Sequence, residues 1–469
     1  MNKRLTRRDF LLLSFTAVVG SVISSCAPSA PAQPTEAPAA ATEAPAAATE
    51  APAATEVPTA AAATPAQEKA NILFWDQFGE EATALDDMVG VFNNAHPNIV
   101  VKRESQPNMR DILKTALSAG TGPDIMYYDT GPGFAGVLAT ADLLLPMDDA
   151  YAQYGWNDRF FGWTKSRCTF GGKVYGIGNE LEFLGAFYNK KIFQDQGWSE
   201  PTSHDEMLAL CEKAKAAKLV PIAFADQDKW PAYHEFSIFS SNIAGRDKLA
   251  QAISGKVPWN DDDFVSAIQM FFVDMNKAGY FIPDVNAVTY DDANMMFYSG
   301  KAAMDITGTW MVGNYTDPNT MADPVGFFFY PSIGGKTVAP PAGLGSGYFV
   351  SKATQHAEDC FQFLDYLMGK EAAKDWLEKL AKIPPIKGLK SSDYNLSDLM
   401  KFCLDALQGG GENMSYNIDV LTPDNFNTAM GDGFQEVLAG SKTAKQQADD
   451  LEKAMEEAKA AGKVMDITS

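Results

Sequence analysis

Short apolar runs alternate with amphipathic stretches in the part of the chain between residues 72 and 128. The pattern predicts strands at 72–75, 99–102 and 124–128 and helices at 80–94 and 110–119. Strands that alternate with helices are typical of a mostly parallel sheet that is covered on both faces. The sequence therefore predicts an α/β fold for this part of the chain.

The pattern changes after Gly172, where helices become the dominant predicted element. Strand-like segments are predicted at 173–177, 183–189, 221–225 and 302–307. Helices are predicted at 203–217, 263–277, 290–298, 356–368, 372–380, 426–438 and 444–460. A folded body of roughly 400 residues exceeds what one hydrophobic core usually serves, so we expect two lobes.

The N-terminus resembles an export signal. Basic residues precede an apolar run at 10–23, which is too short for a comfortable membrane span and is typical of a secretory signal. The pair Arg7-Arg8 resembles a twin-arginine signal, and Ile23-Ser24-Ser25-Cys26 resembles a lipobox. We therefore predict a signal peptide at 1–25 and a lipid on Cys26 that anchors the protein to the cell membrane. The alternative is an ordinary cleaved signal with an incidental cysteine.

A segment of low complexity follows the predicted lipid site. Residues 27–67 contain almost only Ala, Pro, Thr and Glu, and Thr-Glu-Ala-Pro recurs from Thr35, Thr42 and Thr49. Such a segment has no large apolar side chains whose burial could offset the entropy lost on ordering. We predict that residues 26–69 form a disordered tether that holds a folded body away from the membrane.

Charge and cysteine content narrow the classes of partner. The formal net charge is -22, so the protein repels nucleic acid and anionic lipid headgroups, which are themselves negatively charged. Besides Cys26 there are four cysteines, and neither they nor the four histidines have the spacing of metal ligands. These cysteines are Cys168, Cys211, Cys360 and Cys403. No metal or cofactor is expected, and a disulfide among the four stays open in an exported protein.

Several short motifs occur in an order and spacing that match one protein family. They are Ile72-Leu73-Phe74-Trp75, Phe92-Asn93-Asn94-Ala95-His96-Pro97-Asn98-Ile99, Gly120-Thr121-Gly122-Pro123-Asp124-Ile125, Tyr188-Asn189-Lys190, Ser299-Gly300-Lys301-Ala302-Ala303-Met304 and Gly308-Thr309-Trp310. With these motifs the chain from Asn71 onward resembles the extracellular solute-binding proteins of carbohydrate ABC importers, which include the maltose- and raffinose-type binding proteins.

The resemblance implies a two-lobed fold of the periplasmic-binding-protein type, with crossing strands as an interlobe hinge and a cleft that closes on a solute. Carried onto this chain, the first lobe comprises residues 70–180 and 341–385, and the second comprises 181–340 and 386–469. The implied function is that of a monomeric protein that captures a sugar or oligosaccharide and delivers it to the permease subunits of an ABC importer. Three glycines occur where the crossing would need a permissive backbone, namely Gly343, Gly345 and Gly347.

Candidate ligand-binding residues follow the predicted strands of the first lobe. In a sheet covered by helices, ligands bind outside the carboxyl ends of the strands. Two groups of three residues in such places combine an aromatic ring with polar groups, the mixture that a carbohydrate needs. They are Trp75, Asp76, Gln77, Tyr128, Asp129 and Thr130. The competing interpretation makes the aromatic residues part of the core and the aspartates turn formers.

Aromatic side chains supply most of the remaining candidates. The resemblance implies ligand contacts for Trp230 and Tyr233, and above all for Trp310, because the aromatic residue of the family's Gly-x-Trp motif stacks on sugar. His234, which follows Tyr233, is expected to be structural. Tyr348, near the predicted lobe crossing, is a further candidate.

Two glutamates near the predicted crossing allow a second function. Glu180 and Glu182 would share one face of an extended segment, where they could bind sugar hydroxyls or remain solvated at a strand edge. Carboxylate pairs beside aromatic platforms also build glycosidases, so a secreted glycan-active enzyme is the alternative. A surface adhesion or scaffold protein would explain the tether but not two lobes. Hydrolysis of a glycan panel would indicate the enzyme, and saturable binding without turnover would indicate the importer component.

Overall fold

A computed structural model describes residues 69–79 and 82–468, without the side chain of Glu412. The predicted signal peptide, Cys26 and nearly all of the predicted tether therefore lie outside the described residues. The described part contains two larger β-sheets with helices around them. We call each of these sheets with its helices a lobe, the first being the one that contains the strand nearest the N-terminus.

The strands are β1 (Ala70–Asp76), β2 (Ile99–Ser105), β3 (Ile125–Asp129), β4 (Thr169–Phe170), β5 (Lys173–Val174), β6 (Gly176–Gly178), β7 (Leu181–Asn189), β8 (Val220–Ile222), β9 (Ala302–Gly308), β10 (Val325–Phe328), β11 (Pro341–Leu344), β12 (Ser346–Val350) and β13 (Ser415–Tyr416). The small strands β4 and β5 pair only with each other, among the described residues.

The helices are α1 (Thr83–Ala95), α2 (Met109–Ser118), α3 (Ala135–Thr140), α4 (Asp148–Gln153), α5 (Trp156–Arg159), α6 (Gly162–Arg167), α7 (Lys190–Gln196), α8 (His204–Ala216), α9 (Trp230–Ala244), α10 (Arg246–Ile253), α11 (Asp262–Ile268), α12 (Tyr290–Tyr298), α13 (Val312–Thr316), α14 (Ala357–Leu367), α15 (Ala373–Glu378), α16 (Asp398–Gly410), α17 (Asp424–Leu438) and α18 (Ala444–Ala460). A π-helical segment, Gln269–Met275, continues α11, and 3-10 turns occur at Val285–Ala287, Thr309–Met311, Ser391–Asp393 and Gly411–Asn413.

The sheet of the first lobe has the strand order β2-β1-β3-β12-β6. Its first three strands are parallel, and β12 runs antiparallel to both β3 and β6. Ile72 and Phe74 of β1 point into the core, where they meet the apolar face of α1. The prediction of a mostly parallel sheet with a helix after each strand is confirmed for this part of the chain.

The sheet of the second lobe has the order β13-β11-β7-β9-β8, and β10 also pairs with β7. Every residue of β7 is buried, as expected for a central strand that is covered on both faces. Residues 341–344, which the resemblance assigns to the first lobe, form β11 and pair with β7 in the second sheet.

The two sheets are joined by two chain segments that run side by side in opposite directions. One leads from β6 to β7 through Asn179 and Glu180, and the other leads from β11 to β12 through Gly345. The backbone N–H of Asn179 donates to the carbonyl oxygen of Ser346 at 3.0 Å, which holds the two segments together where they pass between the sheets.

Two of the three glycines of the crossing are needed for space, and none of the three is needed for backbone freedom. Gly343, Gly345 and Gly347 are not among the residues with positive φ. A Cβ on Gly345 would lie 2.5 Å from Oε1 of Glu182, and one on Gly347 would lie 2.7 Å from the carbonyl oxygen of Ile177. The expectation of a permissive backbone is therefore corrected, since close packing explains the small residues at these two positions.

The amphipathic helices are confirmed most accurately, and α12 and α18 have the predicted bounds. The sequence pattern does not predict α9 or α16. In α9 nearly every residue is buried, so the helix lacks the polar face on which the periodic pattern depends. The predicted helix at 263–277 is observed as α11 followed by the π-helical segment.

The cysteines in the described part are free and buried, which answers the disulfide question for Cys168, Cys211, Cys360 and Cys403. Burial raises the pKa of each thiol to about 12, so these residues pack as small apolar side chains. Within residues 69–79 and 82–468, none of the helices has both the length and the apolar character required to cross a membrane.

Candidate functional site

A cavity of about 520 Å³ lies between the two lobes, beside the crossing segments, and we call it the interlobe cavity. Its volume falls in the range typical of small-molecule sites, roughly 300–1,000 Å³. Its lining residues are Gln77, Phe78, Pro107, Asn108, Arg110, Asp111, Tyr127, Asp129, Glu180, Glu182, Asp228, Trp230, His234, Trp310, Gly345, Ser346, Lys382, Asn417, Asp419 and Val420. Most first-lobe members come from the carboxyl ends of β1, β2 and β3 or from the loops and the helix after them, as expected for an α/β sheet.

The second lobe contributes a wall of aromatic rings. The ring centroids of Trp230 and Trp310 lie 6.3 Å apart, and the His234 ring lies 5.0 Å from Trp310. Burial lowers the pKa of His234 to about 3, with Arg110 acting in the same direction, so this imidazole is neutral at neutral pH. The wall therefore offers flat, uncharged surfaces, which suit the C–H faces of a sugar ring.

The orientation of Trp310 is fixed from two sides. Its indole N–H donates to the Tyr290 hydroxyl at 3.0 Å, and that hydroxyl lies 2.8 Å from Oγ1 of Thr307. The ring also lies directly over Gly308, because a Cβ there would come within 1.8 Å of Cζ3 of the indole. The backbone of Gly308 is extended, with φ of -106°. The glycine of the Gly-x-Trp motif thus provides room for the ring.

Two ion pairs lie at the wall of the cavity. Arg110, at the start of α2, donates from Nε to Oδ2 of Asp129 at 2.7 Å. Lys382 Nζ lies 3.2 Å from Oε2 of Glu180 and also contacts the carbonyl oxygen of Trp310 at 3.2 Å. Because Glu180 belongs to the crossing and Trp310 to the second lobe, Lys382 ties the polar side of the cavity to the aromatic wall.

Two further carboxylates in the cavity have no such cationic partner. Glu182 makes no hydrogen bond or ion pair within the described residues, and its pKa is raised well above the usual value, by burial first and then by the charge of Glu180. Burial also raises the pKa of Asp419 to about 7, an effect that Arg110 partly offsets. Oδ1 of Asp419 has no hydrogen-bond partner in the part of the protein that the structure describes. Both carboxyl groups can therefore form hydrogen bonds with a ligand in the cavity.

Half of the residues predicted from the sequence line the cavity. They are Gln77, Asp129, Glu180, Glu182, Trp230 and Trp310. The structure thus brings together one end of the first-lobe sheet, the crossing and the aromatic wall. Ligand contact by these residues stays a prediction.

Two predicted residues at the end of β1 are held elsewhere by local partners. Asp76 is buried in a bidentate ion pair with Arg103, in which Nε lies 2.5 Å from Oδ2 and Nη2 lies 2.9 Å from Oδ1. Asp76 also accepts a hydrogen bond from the backbone N–H of Phe78. It therefore acts as the turn former of the competing interpretation. The Trp75 indole N–H donates to Glu104 on β2 at 3.1 Å.

Thr130 donates its hydroxyl to the carbonyl oxygen of Leu344 at 2.6 Å, so it connects β3 to the crossing and does not line the cavity. The Tyr128 ring packs edge-on against Phe134, at 6.4 Å between centroids. The Tyr233 hydroxyl lies against Gly431 of α17, so this residue packs α9 against α17. Tyr348 is fully buried in the first-lobe core, 5.8 Å from the Phe74 ring.

The sequence pattern does not indicate several lining residues, including Arg110, Lys382 and Asp419. Lys382 lies in the loop after α15, and Asp419 lies after β13, so only the tertiary fold brings them to the crossing. For Asp419 a signal does exist: the residue interrupts the apolar run Ile418-Asp419-Val420-Leu421, and an acidic residue in such a run is either paired or functional.

Comparison with known proteins gives the family of the chain. Residues 87–399 match the family model described as bacterial extracellular solute-binding protein. An uncharacterised ABC transporter extracellular-binding protein of Pyrococcus horikoshii is 25% identical over 71% of this chain and 75% of the relative. The multiple sugar-binding protein of Streptococcus mutans is 23% identical over 69% of this chain and 77% of the relative.

Solved structures share the fold. A chitin oligosaccharide binding protein superposes with a TM-score of 0.75 and 24% identity, covering 84% of this chain and 99% of that one. RafE in complex with raffinose superposes with a TM-score of 0.66 and 19% identity, covering 83% of this chain and 100% of that one. The family match spans most of the chain and both lobes. The protein therefore belongs to the bacterial extracellular solute-binding proteins.

Proposed function

We propose that this protein is the sugar-binding component of an ABC importer. It captures a sugar or oligosaccharide in the interlobe cavity and delivers it to the permease subunits. The observation that carries this proposal is the composition of the cavity, which is lined both by the indoles of Trp230 and Trp310 and by the carboxylates of Asp129, Glu180 and Glu182. Flat apolar surfaces beside strong hydrogen-bond acceptors are what the two kinds of surface on a sugar ring require.

Named relatives support the sugar as ligand class. They include the multiple sugar-binding protein of Streptococcus mutans and the maltodextrin-binding protein of Bacillus subtilis, and the latter is 27% identical over 57% of this chain. The family consists of binding proteins, which favours capture over hydrolysis. The glycan-active enzyme built on Glu180 and Glu182 therefore has no support from the comparisons.

Within the cavity, we assign Trp310 and Trp230 to stacking on sugar rings. Asp129, Glu180 and Glu182 accept hydrogen bonds from the ligand, and Gln77 contributes an exposed amide at the first-lobe rim. The ion pairs of Asp129 with Arg110 and of Glu180 with Lys382 hold those carboxylates in place before the ligand arrives. Such preorganisation lowers the ordering cost of binding.

The crossing segments provide the hinge in this proposal. Only short stretches around Glu180 and Gly345 join the two sheets at this point. A solute that contacts both lobes stabilises the closed arrangement, so ligand binding shifts the population toward closure. The C-terminal helices α17 and α18 pack on α9 and α11, which supports their assignment to the second lobe.

Export and anchoring complete the proposal. The twin-arginine-like signal would direct the chain across the membrane, and the lipid on Cys26 would hold it on the outer face of that membrane. The tether then lets a monomeric body reach the permease. The sequence features of residues 1–69 support this part of the proposal.

A thermal-melting screen against monosaccharides, disaccharides and oligosaccharides tests the function. A ligand that binds only the folded state stabilises it by about 2.7 kcal/mol at a hundredfold excess over its Kd. We expect at least one sugar series to raise the melting temperature and to bind saturably without turnover. Failure of every sugar would refute the proposal, and hydrolysis of the bound sugar would favour the enzyme.

A further inference from the structure

The buried charges of the interlobe cavity do not balance. Four carboxylates that line it are at least nine-tenths buried, Asp129, Glu180, Glu182 and Asp419. The lining cations are Arg110, which pairs with Asp129, and Lys382, which pairs with Glu180. Glu182 and Asp419 form no ion pair in the described part of the chain, although the charge of Arg110 partly offsets the effect of burial on Asp419.

Local structure satisfies these two carboxylates only in part, since the backbone N–H of Val420 donates to the Asp419 carboxylate and Glu182 makes no hydrogen bond within the described residues. The Oδ1 atom of Asp419 has no hydrogen-bond partner among the described residues, although the residue is only 3% exposed. Glu182 is 8% exposed, and its carboxylate lies against Gly345, where the missing Cβ leaves room for it. No group of three or more metal-binding side chains is present within residues 69–79 and 82–468, so a metal site does not account for the excess charge.

A neutral sugar supplies no positive charge, so Glu182 and Asp419 would have to stay protonated or remain uncompensated in its presence. It would remove the remaining water from Glu182 and Asp419 and offer only hydroxyl groups in exchange, although burying an uncompensated carboxylate costs several kcal/mol. A protonated amine supplies the missing positive charge together with N–H donors, and hydrogen bonds between charged groups are about twice as strong as neutral ones.

On the basis of the proposed function, we propose that the ligand is a cationic amino sugar whose ammonium group binds between Glu182 and Asp419. The ring that carries the amine then lies toward the aromatic wall, where Trp310 and Trp230 cover its C–H face. The same charges discriminate against uronic acids and other anionic sugars, because a carboxylate ligand would be repelled by both side chains.

The test uses sets of three sugars that differ at one carbon, which carries a free amine, an acetamide or a hydroxyl. D-glucosamine, N-acetyl-D-glucosamine and D-glucose form one set, and the equivalent disaccharides extend it to whichever sugar series the melting screen identifies. Calorimetric titration near pH 7 gives the three affinities. We expect the free amine to bind about tenfold more tightly than the acetamide and the hydroxyl forms.

Two variants test whether Glu182 and Asp419 produce the preference for the free amine. Glu182→Gln and Asp419→Asn each keep the shape of the side chain and remove its charge, so each should bring the amine preference down to about threefold or less. Asp398→Asn is the matched control, because this aspartate is fully exposed and does not line the cavity. It should keep the tenfold preference. Melting curves without sugar confirm that each variant is folded.

The outcomes separate this inference from the function on which it rests. If the acetamide or hydroxyl form binds as tightly as the amine, the amino-sugar inference is overturned and the sugar-binding function stands. If the preference survives both cavity variants, the ammonium site between Glu182 and Asp419 is overturned. If no sugar of any series binds, the proposed function fails as well.

Discussion

The proton on Asp419 should make the stability of this protein depend on pH. Burial raises the pKa of this carboxyl from an ordinary value of 3.8 to about 7, and the nearby Asp129 acts in the same direction while Arg110 opposes it. The folded protein therefore holds the proton more tightly than the unfolded chain. The stabilisation is fully present below pH 3.8 and is lost as the pH rises through about 7. One such group changes the free energy of unfolding by roughly 4 kcal/mol at most over this range.

The Asp419→Asn variant removes this titration. We expect its free energy of unfolding to fall less steeply with pH than that of the unaltered protein, by up to about 1.4 kcal/mol per pH unit between pH 4 and pH 7. Urea unfolding without sugar at four pH values in this range measures the two slopes. Asp398→Asn, a change at a fully exposed carboxylate, should leave the slope unaltered. Parallel profiles for Asp419→Asn and the unaltered protein would show that Asp419 holds no proton in this range, and the reasoning about its burial would be refuted.

Four further predictions follow from the site and the sequence. Trp310→Ala should weaken sugar binding by about 2 kcal/mol, roughly thirtyfold, with little change in melting temperature; a stability loss of about 3–5 kcal/mol with unchanged affinity would instead indicate a core role. Gly345→Ala should displace the Glu182 carboxylate and weaken sugar binding, whereas Gly343→Ala, whose new Cβ would have its nearest neighbour at 3.6 Å, should not; equal affinities would contradict this. Cys26→Ala should move the protein from the membrane to the soluble fraction, and its retention would argue against the lipid anchor. Saturating sugar should reduce the radius of gyration in X-ray scattering, and identical profiles would argue against closure.

The fold could be predicted from the sequence because most of its elements are amphipathic. In α1 the buried residues recur at the spacing that the sequence displays, and α18 has the predicted bounds and begins with a capping box at Thr443. The same reasoning fails for α9, which is buried on nearly all sides and so carries no periodic signal. A helix that is buried on all sides has no polar face, so its sequence lacks the periodic pattern from which a helix is predicted.

The candidate site could be predicted only in part, for a related reason. The tendency of ligands to bind at the carboxyl ends of strands points to the edge of the first-lobe sheet that lines the interlobe cavity, but it does not say which side chain at that edge is free. Asp76 and Asp129 both follow the rule, yet Asp76 is neutralised in the core by Arg103 on the neighbouring strand. Lys382 reaches the cavity from a loop that lies far along the chain. A local pattern contains no information about such a partner.

The carboxylates that are proposed to select the ligand also lower the stability of the unliganded fold. Glu182 and Asp419 are buried and form no ion pair among the described residues, so the folded protein must either hold their protons or bear their repulsion. A bound ammonium group would remove the reason for holding these protons, and binding should therefore release them. Because linkage is reciprocal, the sugar that expels a proton from Asp419 should bind more tightly as the pH rises, as long as its amine remains charged. The pH dependence of the unfolding free energy of the unliganded protein and the affinity for an amino sugar thus both report on the same buried carboxyl groups.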